Sequence, residues 1–301
     1  MGIWALASIV GHGSEEAPGG ASPCRPCAAT SCGARLFSEP GAGSDLASLQ
    51  TRATRVDGGW RINGQKIWTS MAQFSDWGIL IARTNPTAPK HEGITYFLLD
   101  MSTEGVDVRP LREMTGSALF NEVFFDDVFI PDEYVVGEVD HGWQVTRTAL
   151  ASERVALSQK MEAYANDRDL LRFAGSHDLS PLARFRLGEF ARREPGDRRP
   201  GRARRAQAAC AAPTPRPRRV RAKLLAMGIS QKIAEFIVAG PASPAPSRCP
   251  ASAATTRSSR LLAGRATTIY GGTTEVQTNV IGERMLGLPR DAEPRLTEQG
   301  A

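Results

Sequence analysis

Between Arg35 and about Val139 the chain alternates short apolar or alternating runs with turn residues. Trp77 to Arg83, Ile94 to Asp100, Val106 to Val108 and Glu122 to Val128 are such runs, bounded by Gly, Pro and Asn. Short strands at this spacing predict a closed or sandwiched antiparallel sheet. Asp57-Gly58-Gly59 and Asn63-Gly64 read as hairpin signals between strands. Near Gly142 the period changes. Trp143, Leu150, Leu157, Met161 and Tyr164 recur at three-, four- and seven-residue offsets, the apolar stripe of one helix. Pro181 to Arg193 predicts a second helix. Arg221 to Gly240 predicts a third, with Leu224, Leu225, Ile229, Ile233, Phe236 and Ile237 in an amphipathic pattern. Leu261 to Arg290 holds a turn and a last helix, with Thr274 and Gln277 in capping-box spacing.

The pattern gives an α+β chain: an irregular segment 1–34, a β domain 35–139, a partial helical domain 140–290 and a tail 291–301. Two biased tracts interrupt the helical part, an Arg/Pro/Ala-rich one at 195–220 and a Pro/Ser/Ala-rich one at 241–260. Neither can bury a core. They are either linkers or out-of-frame translation of GC-rich DNA, and an in-frame nucleotide comparison separates the two.

The charge is unevenly spread. The 301 residues are 41% hydrophobic and 23% charged, as in globular proteins, and suffice for two modest domains. The net charge of +5 comes from 37 basic and 32 acidic residues, yet nine of the arginines lie between Arg198 and Arg221. Without that run the acids outnumber the bases. The run has no aromatics and many prolines, so no nucleic-acid partner is expected. Cys24, Cys27, Cys32, Cys210 and Cys249 form no second pair at metal spacing, and read as free thiols with no bound metal. No apolar run reaches transmembrane length and the first residues lack a basic start, so a cytoplasmic protein without membrane contact is expected.

The candidate chemistry sits in ten residues, Leu36 to Asp45, reading Leu-Phe-Ser-Glu-Pro-Gly-Ala-Gly-Ser-Asp. Ser38 leads into a Pro-Gly-x-Gly turn whose glycines are expected at φ > 0, presenting N–H groups to a ligand. Further on, Lys66-Ile67-Trp68-Thr69-Ser70 offers an aromatic face and a hydroxyl two residues apart, hence on one side of a strand. A ring for stacking beside a hydroxyl donor suits a planar heteroaromatic cofactor.

Phe37-Ser-Glu-Pro-Gly-Ala-Gly-Ser-Asp45, followed by Asn63-Gly-Gln-Lys-Ile-Trp-Thr-Ser70, resembles the middle domain of the acyl-CoA dehydrogenases in order, spacing and flanking turns. The resemblance implies an antiparallel β-barrel or sandwich carrying FAD, followed by a helical bundle. The family's N-terminal helical domain is not recognisable in this chain, nor is the Arg/Phe-Gly helix that grips a neighbour's FAD pyrophosphate. It implies oxidation of an acyl-CoA thioester to the trans-2-enoyl-CoA: a carboxylate removes the α-proton while the β-hydrogen leaves as hydride to the flavin. Electrons then pass to an electron-transfer flavoprotein. The cofactor positions that it implies are Phe37, Ser38, Ser44, Trp68, Thr69, Ser70, Thr273 and Glu275.

Many members carry the base in Tyr-Glu-Gly-Thr, but here Tyr270 is followed by Gly271-Gly272-Thr273. The long-chain and isovaleryl-type members place it instead on an earlier helix in a Glu-Arg pair, which Glu153-Arg154 matches. Glu153 lies three residues after Leu150 and four before Leu157, on the apolar stripe. Desolvation there would raise its pKa, as a base for a carbon acid requires. By the same resemblance, Gly271 N–H meets the thioester oxygen, and Ser44 and Arg154 also lie toward the substrate. A homo- or hetero-oligomer with another chain of the family is implied too. The alternative is a catalytically inactive remnant or non-enzymatic subunit that keeps only the β domain.

Overall fold

The computed structural model describes residues 33–159, 165–192, 217–240 and 251–289; the side chains of 151–159, 167, 191–192, 217–222 and 251–257 lie outside that description. All five cysteines, Met161 and Tyr164 lie outside the described residues, as does most of the 195–220 tract. The chain divides into two compact units between Gln159 and Lys160.

The first unit holds strands β1 (Gly33–Leu36), β2 (Arg52–Val56), β3 (Gly59–Ser70), β4 (Trp77–Arg83), β5 (Ile94–Asp100), β6 (Val106–Leu111) and β7 (Phe120–Pro131). Helix α1 (Gly142–Gln159) follows them. The strands form one curled sheet in the order β1-β4-β2-β3-β7-β6, with β5 antiparallel to β4. The purely antiparallel expectation is corrected. β1 runs parallel to β4, pairing Gly33 with Trp77 through Leu36 with Leu80, so the sheet is mixed. Parallel pairing needs a long crossover, and residues 37–76, with β2 and β3 inside them, supply it.

β4 and β5 read as unbroken apolar runs because both of their faces are buried. Ile79, Ile81, Tyr96 and Leu98 pack on one side with Val145 and Ala149 of α1. Leu80, Ala82, Phe97 and Leu99 pack on the other with Trp60 and Ile62 of β3. Asp57-Gly58 turns β2 into β3 as expected, with Gly58 at φ 72°. Asn63-Gly64 is a correction. It lies inside β3, where the register with β7 slips between Ile62 and Gly64. Gly64 has φ 143°, and a Cβ there would come within 2.8 Å of Thr51 Cα. This is a bulge where two backbones cross closely, which a turn signal in sequence does not distinguish.

The entry to α1 is pinned to β5. Thr84 Oγ1 lies 2.8 Å from Thr95 Oγ1, which accepts from Asp140 N at 2.8 Å. A Cβ on Gly142 would stand 2.6 Å from Tyr96 N. Gly142→Ala is therefore expected to destabilise the protein by about 1–3 kcal/mol, because rigid backbone must give way. Urea denaturation measures this, and an unchanged midpoint would mean that α1 does not depend on that contact.

The second unit holds α2 (Asp167–Ser176), α3 (Pro181–Arg192), α4 (Pro217–Ala239), α5 (Ala251–Arg265) and α6 (Thr274–Met285). Leu170, Phe173, Ile233 and Phe236 anchor its core, with the Phe173 and Phe236 rings edge-on at 5.9 Å. α2 was not expected from periodicity. Its signal was a capping box: Asn166 Oδ1 accepts from Arg168 N at 3.0 Å, and Asp169 Oδ2 accepts from Asn166 N at 3.1 Å. The 241–260 tract is corrected in part, because Ala251–Arg265 is helical. Alanine is the strongest helix former, and no proline follows Pro250 there. The Thr274/Gln277 capping box is also corrected. Thr273 caps α6, its Oγ1 accepting from Val276 N at 3.2 Å. Gln277 is buried and donates Nε2 to Gly271 O at 3.0 Å.

Among the described residues, no helix is long and apolar enough to cross a membrane. None of their His, Cys, Asp and Glu side chains group into a metal site.

Candidate active site

Glu39 and Ala42 close a tight turn by exchanging two backbone hydrogen bonds of 3.0 Å. The expected left-handed glycines are a correction, since neither Gly41 nor Gly43 is among the residues with φ > 0. Pro40 sets the turn, and one of type I asks no positive φ of its next residue. A Cβ on Gly41 or Gly43 would meet nothing within 4 Å. Their contribution is open surface above the turn.

Beneath it lies the main electrostatic feature. The Lys66 side chain is fully buried, and its Nζ donates to Glu39 Oε1 at 2.7 Å and to Phe37 O at 3.1 Å. Glu39 also accepts from Gln50 N at 2.6 Å and from Thr51 N at 2.9 Å. Burial alone would raise the Glu39 carboxyl, but Lys66 and these donors outweigh it and hold the group below its ordinary range. Burial pushes Lys66 down to about 8, against the opposing pull of Glu39.

One residue further along β3, Ile67 N donates to Ser38 O at 2.8 Å. Two contacts thus clasp Phe37–Ser38 to the Lys66–Ser70 segment. There β3 bulges: Lys66 pairs with Val123 but Thr69 with Asn121, and Trp68 takes φ 59°. Left-handed backbone at a non-glycine residue stores about 1–3 kcal/mol and clusters at functional sites. Its effect here is to turn the Trp68 ring outward, 60% exposed, with its edge against Phe120 at 6.1 Å. Ser70 is exposed beside it, while Thr69 between them is fully buried.

The residues expected at the cofactor therefore separate. Ser38, Trp68 and Ser70 come together at one end of the sheet, and the hydroxyls of Ser38, Ser44 and Ser70 have no hydrogen-bond partner among the described residues. Ser44 is exposed at the end of the 36–45 motif, beside Asp45, which Lys90 and Ser48 hold below the ordinary carboxylate range. The Phe37 ring is buried edge-on to Tyr96 at 6.0 Å, so what Phe37 offers the site is backbone. Thr69 Oγ1 is buried without a partner, as is Asn121 Oδ1, its neighbour across the ladder. Glu153 and Arg154 lie in α1, and their side chains are outside the description.

In the second unit Gly271 and Gly272 do adopt positive φ, 65° and 92°. Lys223 of α4 fixes this turn by donating to Tyr270 O at 2.6 Å and to Gly272 O. Thr273 is engaged as the cap of α6. Glu275 is exposed in its first turn, where its own N–H and the Thr273 hydroxyl hold its carboxyl below the ordinary range.

Three unengaged hydroxyls, an outward aromatic face and an uncrowded glycine turn fit a planar ring system with hydrogen-bonding edges. The profile of the acyl-CoA dehydrogenase middle domain matches residues 34–128. IpdE1 of Mycobacterium tuberculosis, an acyl-CoA dehydrogenase, is 38% identical in an alignment 271 positions long that covers 85% of this chain and 67% of IpdE1. The chain belongs to the acyl-CoA dehydrogenase family. FadE34, an acyl-CoA dehydrogenase of the same organism, is 43% identical over 96% of this chain, which spans only 40% of FadE34's length. Two solved structures share the fold. A variant of the Tcur3481–Tcur3483 steroid acyl-CoA dehydrogenase has a TM-score of 0.79 at 26% identity, covering 96% of this chain and 77% of its own. The ChsE4–ChsE5 complex of Mycobacterium tuberculosis has a TM-score of 0.71 at 25% identity, covering 95% and 76%.

Acyl-CoA dehydrogenases are FAD-dependent oxidoreductases. Sequence reasoning within this family found the motif but missed the Lys66–Glu39 pair under it. The signal was present. Lys66 stands at an inward position of an alternating strand, where an unpaired ammonium is intolerable, and Glu39 is the acid of the adjoining motif.

Proposed function

We propose that this chain forms the flavin-binding core of an acyl-CoA dehydrogenase that converts an acyl-CoA thioester to its trans-2-enoyl-CoA. The observation that carries the reading is the outward Trp68 ring with the unengaged Ser70 hydroxyl two residues on, and Ser38, its hydroxyl also unengaged, clasped to this stretch through Lys66 and Ile67. Trp68 packs against the flavin ring system, and Ser38 and Ser70 donate to its edge atoms. When bound, FAD supplies the hydride acceptor. Glu153 removes the α-proton, and Gly271 N–H donates to the thioester oxygen as negative charge grows there. Ser44 and Arg154 lie toward the substrate, and Thr273 and Glu275 toward the cofactor.

The names of the neighbours support two finer points. A steroid acyl-CoA dehydrogenase and a two-chain complex among them favour a bulky, steroid-bearing thioester and a second chain of the family as partner. An electron-transfer flavoprotein is the proposed acceptor of the electrons.

The test is a flavin spectrum of the purified chain, followed anaerobically after adding straight-chain and steroid-bearing acyl-CoAs. Bound flavin that bleaches on adding thioester is expected. A colourless protein that takes up no added FAD would overturn the reading. It would leave the alternative, a catalytically inactive remnant or non-enzymatic subunit.

A further inference from the structure

The Lys66–Glu39 pair has no part in the proton or hydride steps above, yet it is aimed at the flavin site. Lys66 Nζ donates to the carbonyl oxygen of Phe37 from the buried side. The described chain has no cis peptide bond, and a trans peptide points its C=O and N–H in opposite directions. Ser38 N–H therefore faces away from the buried ammonium, toward the side on which Ser38 is partly exposed. That N–H has no hydrogen-bond partner among the described residues, and neither does the Ser38 hydroxyl. Turning this peptide over would break the contact from Lys66 Nζ to Phe37 O, and the next peptide is held in turn by Ile67 N on the Ser38 carbonyl.

We propose that Lys66 is a positioning residue for the flavin: through the Phe37 carbonyl it fixes and polarises the Phe37–Ser38 peptide, so that Ser38 N–H is a strengthened donor favouring the reduced flavin. A cation on the carbonyl oxygen draws electron density along the peptide and makes its N–H a stronger donor, the cooperative effect seen in hydrogen-bond chains of low dielectric. Uptake of a hydride adds two electrons and one proton, so the reduced ring carries one more negative charge than the oxidised ring. A strengthened donor and a buried cation behind it favour that added charge. The geometry of the buried pair supports the same reading, because Glu39 is held by two backbone N–H groups as well as by Lys66. Its negative charge is therefore shared among three donors, and the ammonium keeps its contact to Phe37 O.

This inference rests on the FAD reading above, and the experiment keeps the two apart. The full chain and Lys66→Met are loaded with FAD, and two quantities are measured: affinity for oxidised FAD by fluorescence quenching, and flavin midpoint potential by anaerobic titration against a reference dye. Lys66→Met is expected to bind oxidised FAD but to lose about tenfold in the affinity of reduced relative to oxidised flavin, a fall of about 30 mV for a two-electron couple. An unchanged potential in a variant that binds FAD would overturn the proposal, since a merely structural lysine would weaken both forms alike. If the unaltered chain binds no FAD, the functional reading fails first and takes this one with it. Should Lys66→Met not fold, amide hydrogen exchange at Ser38 in the unaltered chain decides. FAD should slow that exchange at least about tenfold, as for an N–H that gains a partner, and exchange unaffected by bound FAD would overturn the proposal.

Discussion

Glu153→Gln is expected to slow thioester-driven bleaching of the flavin by about 10²–10⁴-fold, the usual contribution of a positioned general base. The substitution keeps length and volume and removes only the ability to take a proton. Flavin absorbance and the affinity for acyl-CoA should therefore stay as they were, so that the loss falls on the rate of reduction and not on binding. Glu153 lies on α1. Val145 and Ala149 of that helix are buried against β4 and β5, and position 153 follows Ala149 by four residues and Leu150 by three. Residues three and four apart in a helix share a side. The proposed role asks for a desolvated carboxylate at that position, because desolvation makes a carboxylate a stronger base. Rapid-mixing spectroscopy checks the outcome. Bleaching that persists within about threefold, far less than any general base contributes, would place the base elsewhere.

What could be read in the sequence depended on whether a feature is written along the chain or across it. β4 and β5 matched their expected bounds because strands buried on both faces are apolar throughout, whatever lies beside them. The Phe37–Asp45 and Asn63–Ser70 motifs stood out because they set glycines, serines and an aromatic ring where a strand or core pattern alone does not call for them. The parallel β1–β4 pairing was not legible, since a four-residue strand carries no record of its partner. Asn63-Gly64 misled for a related reason: φ > 0 serves a turn and a bulge equally, and only the approach of Thr51 decides between them. Phe37 shows the same limit at the site. Its place in the motif put Phe37 among the cofactor positions without saying which of its atoms would serve, and the structure buries the ring in the core against Tyr96. Lys66 and Glu39 are 27 residues apart, and their pairing exists only after β3 is laid beside the 36–45 segment.

Glu39→Ala is expected to be the most damaging substitution for folding in the first unit, at about 3–5 kcal/mol. Removing the carboxylate leaves Lys66 buried with no counter-charge and strips Gln50 N and Thr51 N of their acceptor. Thr51 N is buried, and an orphaned buried donor alone costs about 1–3 kcal/mol. Part of the loss is limited because Lys66, already lowered to about 8 by burial, can release its proton when Glu39 is gone. The exposed pair between Arg55 and Asp132 serves as the control, with Arg55→Ala expected to cost under about 1 kcal/mol. Stability against pH gives an independent check with a definite sign. The folded Glu39 carboxyl is held below its ordinary value of 4.5, so its contribution is complete above that pH and is lost as pH falls through the folded value. Lys66 acts at the other end. The folded chain releases the Lys66 proton near 8, whereas the unfolded chain keeps it to about 10.5, so over that window stability rises with pH. Urea midpoints measured from pH 3 to pH 10 should show an acid limb in the unaltered protein that is flattened in Glu39→Gln, and an alkaline rise that disappears in Lys66→Met. An acid limb equally steep in Glu39→Gln would assign acid unfolding to other carboxylates.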